Sequence, residues 1–253
     1  MTAWSAGRYE AVAELIAPIA AEVIAAAAPQ PGTALVDLAC GTGNAALAAA
    51  ATGARVTGVD LTGELLAIAA AKPGADAVTW VTADASATGL PGADFDAAVS
   101  NMGIIFVEPV AMVAELTRLL KPAGTLAFST WIRADDNPFF APVIEVFGAP
   151  PPADYGPDQW GDEDIARARL SADFDDVVFE SRLFTWQFGS LDAAMRFVTD
   201  ESPMHVSVLG ALDDTTRTRL TKAFTAALAA HQLPDRTVTF DAPYAVITAR
   251  RRG

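Results

Sequence analysis

The sequence has few of the residues that build redox, metal and nucleic-acid sites. Its 253 residues include one cysteine and two histidines. One cysteine excludes an intramolecular disulfide, and two histidines provide no cluster at metal-ligand spacing. Basic residues are also scarce, since 17 lysines and arginines stand against 31 acidic residues and leave a net charge of -14. That charge opposes attraction to phosphate backbones, so we expect no metal site and no nucleic-acid partner.

A long uninterrupted hydrophobic run is missing as well. The most apolar N-terminal stretch, residues 11–28, is interrupted by Glu14, Pro18 and Glu22 and has no basic leader. It predicts an amphipathic or buried helix rather than a signal peptide or a membrane span. We therefore expect no membrane partner, a cytoplasmic location, and either a monomer or a homodimer. The hydrophobic content of 52% is enough to bury one sizeable core.

What the chain does have is a short strand with an acidic residue, followed by a glycine turn. The apolar run 34–38 contains Asp37, and Gly41 and Gly43 come before the alanine-rich run 45–51. This order predicts a strand, a tight turn and a helix. Glycines let the backbone approach a ligand closely, and the helix presents unpaired N–H groups at its start. We interpret the turn as a cofactor cradle.

A second acidic residue indicates the kind of cofactor. The predicted strand 55–59 leads into Asp60, whose carboxylate at this place can accept both hydroxyls of a ribose. The segment 41–46 also fits the GxGxxA form of a dinucleotide fingerprint, so the glycines alone leave the nucleoside cofactor open. Asp37 favours a cofactor without phosphate, because a carboxylate beside the turn repels a pyrophosphate and attracts an ammonium or sulfonium group. S-adenosylmethionine carries both cations and no phosphate.

These residues resemble the motifs of a known enzyme family. The segment 36–43 is similar to motif I of class I S-adenosylmethionine-dependent methyltransferases, with Ala39 in place of the first of the motif's usual glycines. Asp84 and Ala85, after the third predicted strand, resemble the pair that reads the adenine. The L-x-P-x-G sequence at residues 120–124 resembles motif III. The nearest similarity is to the type 11 and ubiquinone-biosynthesis-like small-molecule methyltransferases of bacteria.

The resemblance implies a fold of the α/β class. It would be a doubly wound, Rossmann-like sheet of seven strands, mostly parallel, with the seventh strand antiparallel. The sixth and seventh strands are predicted over residues 174–188 and 237–250. Ligands of such sheets bind outside the carboxyl ends of the strands, where the four loops described above would meet.

The same resemblance suggests how the chain is organised. Residues 1–253 would form a single methyltransferase domain, with a cofactor-binding half in residues 1–131 and a substrate-side half in residues 132–253. About fifty residues separate the last two strands, too many for a structureless loop in a compact domain. We interpret residues 189–232 as a helical cap over the cofactor edge, inserted between those strands. Two helices would build it, over residues 191–199 and 213–231.

The resemblance also implies which residues contact S-adenosylmethionine or its product, S-adenosylhomocysteine. The N-terminal aromatics Trp4 and Tyr9 either fold over the methionine end of the cofactor or pack the first helix onto the sheet. Asp84 either reads the adenine or caps the short segment after its strand. The candidate cofactor residues are Trp4, Tyr9, Asp37, Ala39, Cys40, Gly41, Gly43, Asp60, Leu61, Asp84, Ala85 and Ser100.

The implied reaction leaves few obligatory catalytic residues. Methyl transfer from a sulfonium is an in-line displacement, and much of its acceleration can come from aligning the nucleophile with the methyl group in a dry, capped pocket. Only some nucleophiles need a base. His205 is the candidate general base because its unperturbed pKa is near neutrality, although a single histidine is more often a packing or surface residue. The expected acceptor is a small organic molecule, and its reacting O, N or C atom is undetermined.

Three other functions compete with methyl transfer. A protein that binds S-adenosylmethionine without catalysis would show the same motifs, and so would an enzyme that uses the sulfonium charge for a cyclisation. An NAD(P)-dependent short-chain oxidoreductase shares the doubly wound fold but requires a Tyr-x-x-x-Lys pair. That pair is absent, because the residues four positions after Tyr9, Tyr155 and Tyr244 are Ala13, Gln159 and Thr248.

Overall fold

The structure is a computed structural model of the chain, and it describes residues 4–149 and 153–253. The strands of this part are β1 (Ala34–Leu38), β2 (Arg55–Asp60), β3 (Val78–Thr82), β4 (Phe95–Asn101), β5 (Leu120–Trp131), β6 (Phe174–Phe188) and β7 (Val238–Arg251). They form one seven-stranded sheet in the order β3-β2-β1-β4-β5-β7-β6. The pairs from β3 to β5 are parallel, and β7 is antiparallel to β5. The predicted doubly wound sheet is confirmed.

The strand order reverses at β1. This strand pairs with β2 on one side and with β4 on the other, and all five of its residues are buried. A parallel strand covered on both faces is expected to be apolar throughout, as the run 34–38 is apart from Asp37. The carboxyl ends of β1 and β4 therefore flank the switch point at which ligands of open α/β sheets bind.

Ten α-helices lie between and around the strands in the described part of the chain. They are α1 (Tyr9–Leu15), α2 (Ala17–Ala27), α3 (Asn44–Ala50), α4 (Gly63–Ala70), α5 (Pro109–Leu119), α6 (Ala141–Phe147), α7 (Glu163–Leu170), α8 (Leu191–Arg196), α9 (Pro203–Gly210) and α10 (Asp214–Ala229). The single N-terminal helix predicted over residues 11–28 is divided into α1 and α2. The break falls at Ile16, two residues before Pro18, because proline lacks an N–H and is tolerated only in the first helical turn. Within the described ranges, no helix has the length and apolar content to cross a bilayer.

The insertion between β6 and β7 is helical, as predicted. It contains α8, a π-helical turn at Phe197–Glu201, α9 and α10. Two helices were expected, and α9 is the one that the sequence did not predict. Pro203 lies at the first position of α9, where proline begins a helix without losing a hydrogen bond. The location of this insertion over the cofactor edge stays a prediction.

Contacts divide the chain into two compact units. Unit 1 comprises residues 1–15, 133–154 and 183–243, and unit 2 comprises residues 16–132, 155–182 and 244–253. Strands β6 and β7 contribute residues to both. The expectation of a single domain stays a prediction.

Unit 2 has a core of small and aliphatic side chains. The buried face of α3 consists of Ala45, Ala46 and Ala49, which belong to one cluster with Leu35 of β1 and Val56 of β2. Alanine side chains let a helix backbone lie close to the sheet. The alanine-rich sequence therefore fixes the first turn of α3 near the end of β1.

Unit 1 instead has an aromatic core. The ring of Phe139 lies 5.0 to 5.2 Å, between centroids, from the rings of Trp186, Phe197 and Phe240. Edge-to-face and offset-stacked pairs at these distances add stability beyond the burial of their area. These contacts hold the segment around residue 139 against β6, β7 and the π-helical turn.

Candidate cofactor site

The turn between β1 and α3 has an unusual backbone. Ala39, Gly41 and Gly43 all have positive φ angles, of 53°, 54° and 79°. A left-handed conformation at Ala39 costs about 1 kcal/mol, which explains why glycine is usual at this place in motif I. The Cys40 N–H donates to the Val59 carbonyl at 2.9 Å, so the turn is attached to β2. Four predicted cofactor residues thus form one continuous, tightly wound turn.

Asp37 lies under this turn and is 1% exposed. Its Oδ2 accepts a hydrogen bond from the Ala46 N–H at 2.8 Å, whereas its buried Oδ1 has no partner among the described residues. Burial raises the pKa of this carboxyl to about 8, and the Ala46 hydrogen bond opposes the rise, while the nearby Asp60 adds to it. A cationic group brought close would favour the ionised form again. A positively charged ligand beside Asp37 stays a prediction of the sequence.

Asp60 joins the turn to the next loop. Its Oδ2 accepts from the Gly41 N–H at 2.7 Å, and its Oδ1 accepts from the Thr62 N–H at 2.8 Å. Each carboxylate oxygen has a second lone pair, so the side chain keeps acceptor capacity for the hydroxyls of a ribose. Leu61 beside it is 68% exposed, and its apolar surface is free to cover a ligand ring.

After β3, the structure shows Asp84 in the capping arrangement, which is one of the two roles that the sequence left open for it. Asp84 is exposed, and its Oδ1 accepts from the N–H and the hydroxyl of Ser86 at 2.8 and 2.7 Å, which is a capping arrangement. Its second oxygen has no such contact with Ser86. Ala85 is buried next to it. The adenine-reading role of this pair stays a prediction.

Ser100, near the end of β4, links two loops through hydrogen bonds of its hydroxyl. Its hydroxyl donates to the Leu38 carbonyl at 2.7 Å and accepts from the Ile104 N–H at 3.0 Å. The side chain is buried, so it ties the loop after β4 to the end of β1. Any effect of Ser100 on a cofactor would be exerted through the position of these loops.

The structure adds residues at the turn that the sequence did not indicate. Thr42 is buried, and its hydroxyl has no partner in the described part of the chain. The Lys72 ammonium donates to the Thr42 carbonyl at 2.8 Å and to the Asn44 Oδ1 at 3.1 Å. Lys72 follows α4, thirty residues further along the chain, and no periodicity or motif relates it to the glycine turn.

Trp4 and Tyr9 lie in unit 1, whereas the ten other cofactor candidates lie in unit 2. The two rings contact each other edge to face, with centroids 6.2 Å apart. Between them, the Arg8 N–H donates to the Glu201 carbonyl at 2.9 Å, which attaches the N-terminal segment to the π-helical turn. The contacts within unit 1 leave the proposed cofactor role of both aromatics as a prediction.

His205 lies in unit 1 and has both ring nitrogens engaged. Its Nε2 is 3.1 Å from the Phe139 carbonyl, which can only accept, so Nε2 carries the proton. Its Nδ1 then accepts from the Ser202 hydroxyl at 2.7 Å. Burial lowers the pKa of His205 and keeps the ring neutral. A role as general base stays a prediction, and it requires Nδ1 to exchange Ser202 for the proton of an acceptor.

No group of three or more His, Cys, Asp or Glu side chains is close enough to hold an ion in residues 4–149 and 153–253. Cys40 is buried, and burial raises the pKa of its thiol well above the ordinary value.

A cavity of about 330 Å³ lies away from the glycine turn, at the amino ends of β4 and β5. Its lining includes Lys121 and Asp96, which form an ion pair at 2.6 Å.

Comparisons with known proteins relate part of the chain to methyltransferases. Residues 36–128 match the family described as "Methyltransferase domain". The protein Rv1405c of Mycobacterium tuberculosis is 39% identical over 132 residues, which are 51% of this chain and 48% of that protein. The ubiquinone/menaquinone biosynthesis C-methyltransferase UbiE of Rubrivivax gelatinosus is 38% identical over 130 residues, which are 49% of this chain and 51% of that protein. The matched segments thus span about half the length of these curated relatives.

One solved structure shows the extent of the shared fold. Phosphoethanolamine N-methyltransferase 2 of Haemonchus contortus, in complex with phosphomonomethylethanolamine and S-adenosylhomocysteine, aligns with a TM-score of 0.58. The alignment covers 93% of this chain and 53% of that one, at 17% identity. A likeness at this identity establishes the common fold, and it extends over both halves of the chain.

Proposed function

We propose that this chain, whose residues 36–128 match the family described as "Methyltransferase domain", transfers the methyl group of S-adenosylmethionine to a small organic acceptor. The observation that carries the proposal is the buried Asp37 carboxyl under the glycine turn, with one oxygen left unsatisfied. Such a group is costly in a protein interior unless a ligand or water completes it. A cationic cofactor would do so, whereas a pyrophosphate would not.

We propose that residues of unit 2 hold this cofactor portion by portion. Asp60 would hold the ribose, Asp84 and Ala85 the adenine, and the turn from Ala39 to Gly43 the methionine part. When bound, the cofactor supplies an electrophilic methyl group on sulfur. The chain contributes orientation and exclusion of water, and these can account for much of the acceleration of a displacement.

The relatives leave the acceptor atom open. UbiE is named as a C-methyltransferase, and the Haemonchus protein is named as an N-methyltransferase. We propose that residues 132–253 select the acceptor and that His205 serves as a base only if the acceptor is a hydroxyl or a phenol.

Calorimetric titration with S-adenosylmethionine, S-adenosylhomocysteine and NADPH in parallel tests the proposal. Binding of the first two ligands alone is the expected result. Binding of NADPH alone would overturn the proposal in favour of an oxidoreductase. Binding of S-adenosylmethionine without methyl transfer to any compound of a broad acceptor panel would support a non-catalytic binding protein.

An Asp60→Ala variant tests the ribose contact. Loss of charge-assisted hydrogen bonds should weaken binding of both adenosyl ligands by on the order of 1 to 3 kcal/mol, which is roughly 5- to 150-fold in Kd. Asp60 also accepts from Gly41 and Thr62, so the melting temperature of the variant has to be measured alongside. Asp76→Ala, which removes an exposed carboxylate after α4, is the matched control. Wild-type affinity in a folded Asp60→Ala protein would contradict the assignment.

A further inference from the structure

The cofactor turn is supported from outside the strand and helix that it connects. Lys72 lies two residues beyond the end of α4, and its ammonium spans the gap to the turn. There it donates to the Thr42 carbonyl at 2.8 Å and to the side chain of Asn44, the first residue of α3, at 3.1 Å. One cation thus links the middle of the turn to the start of the following helix.

The Thr42 carbonyl is a group that needs such a donor. In the same turn, the Cys40 carbonyl accepts from the Gly43 N–H at 2.8 Å, and the Gly43 carbonyl accepts from the Leu47 N–H at 2.9 Å. The Thr42 carbonyl lies between these two local bonds and accepts from Lys72. Hydrogen bonds from a charged donor are roughly twice as strong as neutral ones, so this contact can fix the orientation of the peptide unit.

A second support packs beneath the turn. A Cβ atom on Gly43 would lie 2.5 Å from Cη2 of Trp80, and a Cβ atom on Gly58 would lie 2.6 Å from its Cζ3. The indole therefore occupies the space that side chains at both glycines would need. Its Nε1 donates to the Ala75 carbonyl at 3.2 Å, which fixes the ring in place. Lys72 and Trp80 together constrain the turn through its carbonyl and through its packing.

We propose that Lys72 is a positioning residue for the cofactor turn, acting through Thr42 and Asn44 and supported by Trp80. The assignment rests on the proposed function for its effect on binding. Its physical basis is preorganisation, since a turn held in one conformation before the ligand arrives loses less entropy on binding. Lys72 itself need not touch the cofactor.

A purely electrostatic role and a positioning role of Lys72 predict different effects of its removal on ligand binding. S-adenosylmethionine carries one more positive charge, on sulfur, than S-adenosylhomocysteine. If Lys72 acts only through its field, its removal should tighten S-adenosylmethionine relative to S-adenosylhomocysteine, because a repulsion is lost. If Lys72 positions the turn, its removal weakens both ligands by the same factor.

Three variants separate these cases. Lys72→Met removes the ammonium and keeps the length of the side chain, Lys72→Arg restores a cationic donor, and Lys222→Met removes an exposed lysine of α10 as the matched control. The readouts are amide hydrogen exchange of residues 40–47 in the ligand-free protein and the Kd values for the two adenosyl ligands.

We expect Lys72→Met to exchange faster in residues 40–47 and to bind both ligands about tenfold more weakly, with an unchanged ratio of the two Kd values. Lys72→Arg should recover most of both effects, and Lys222→Met should match the wild type. Wild-type exchange in Lys72→Met would overturn the inference, and so would a ratio shifted toward S-adenosylmethionine. If the wild type binds neither ligand, the proposed function fails, while the exchange measurement still decides the role of Lys72.

Discussion

At the scale of single residues, the ionisation of Asp37 depends strongly on the fold. The carboxyl has an ordinary pKa of 3.8, and burial raises it to about 8 in the folded chain. Between these two pH values the folded state binds more protons than the unfolded state. The free energy of unfolding therefore decreases as the pH rises through this window, and the contribution of Asp37 is most favourable below it.

Asp37→Asn should remove this pH dependence. The amide oxygen of asparagine can still accept from the Ala46 N–H, and its NH₂ group occupies the place of the unpaired oxygen without a charge. Relative to the variant, the wild type should lose on the order of 2 to 4 kcal/mol of stability between about pH 5 and about pH 8. Urea unfolding at several pH values measures the difference. Parallel pH profiles of the two proteins would contradict a raised pKa at Asp37.

At the scale of secondary-structure elements, the strands were predictable and some helices were not. The bounds of β3 and β6 follow from runs of apolar and alternating residues, and those signals depend on local sequence alone. The separation of α1 from α2 and the presence of α9 depend on proline within a first turn. That position is a favourable one for proline, but the sequence does not distinguish it from a helix end.

In the candidate site, too, some residues were predictable from the sequence and others were not. Asp37, the glycine turn and Asp60 are close in space because motif and strand order place them at one switch point. Lys72 and Trp80 act through contacts with residues far away in sequence, and both contacts follow from how α4 and β3 pack on the turn. Neither residue type is unusual at its position, so no pattern in one sequence indicates it.

His205 connects α9 to the aromatic segment around Phe139, and its titration should be visible in stability. Its pKa is lowered by burial, so the unfolded chain takes up a proton below about pH 6.5 before the folded chain does. The stability that the neutral ring contributes is present above that pH and is lost on acidification toward the folded pKa.

His205→Gln tests this connection, because the amide NH₂ can still donate to the Phe139 carbonyl but cannot titrate. Between about pH 7 and about pH 5, the wild type should lose on the order of 1 kcal/mol more than the variant, measured by thermal unfolding. Identical acid dependence of the two proteins would show that His205 is accessible enough to protonate freely.

The same variant also tests the role of His205 as a base once methyl acceptors have been identified. If His205 is the base, His205→Gln should lower the rate of methyl transfer to a hydroxyl acceptor far more than the rate of transfer to a carbon acceptor.

At the scale of the whole molecule, the two units share two strands. β6 passes from unit 2 to unit 1 between residues 182 and 183, and β7 returns between residues 243 and 244. Both strands therefore continue without a break from one unit into the other. The single domain expected from the sequence stays a prediction, which the continuity of β6 and β7 makes testable.

This continuity predicts one cooperative unfolding transition for the chain. Differential scanning calorimetry should give a calorimetric enthalpy equal to the van't Hoff enthalpy, and saturation with S-adenosylhomocysteine should move the whole transition upward, by about 2.7 kcal/mol of stability at a ligand concentration one hundred times Kd. Two resolved transitions, of which the ligand moves only one, would contradict the single domain. They would also assign cofactor binding to the unit whose transition moves, because a ligand stabilises only the part of the chain that must unfold to release it.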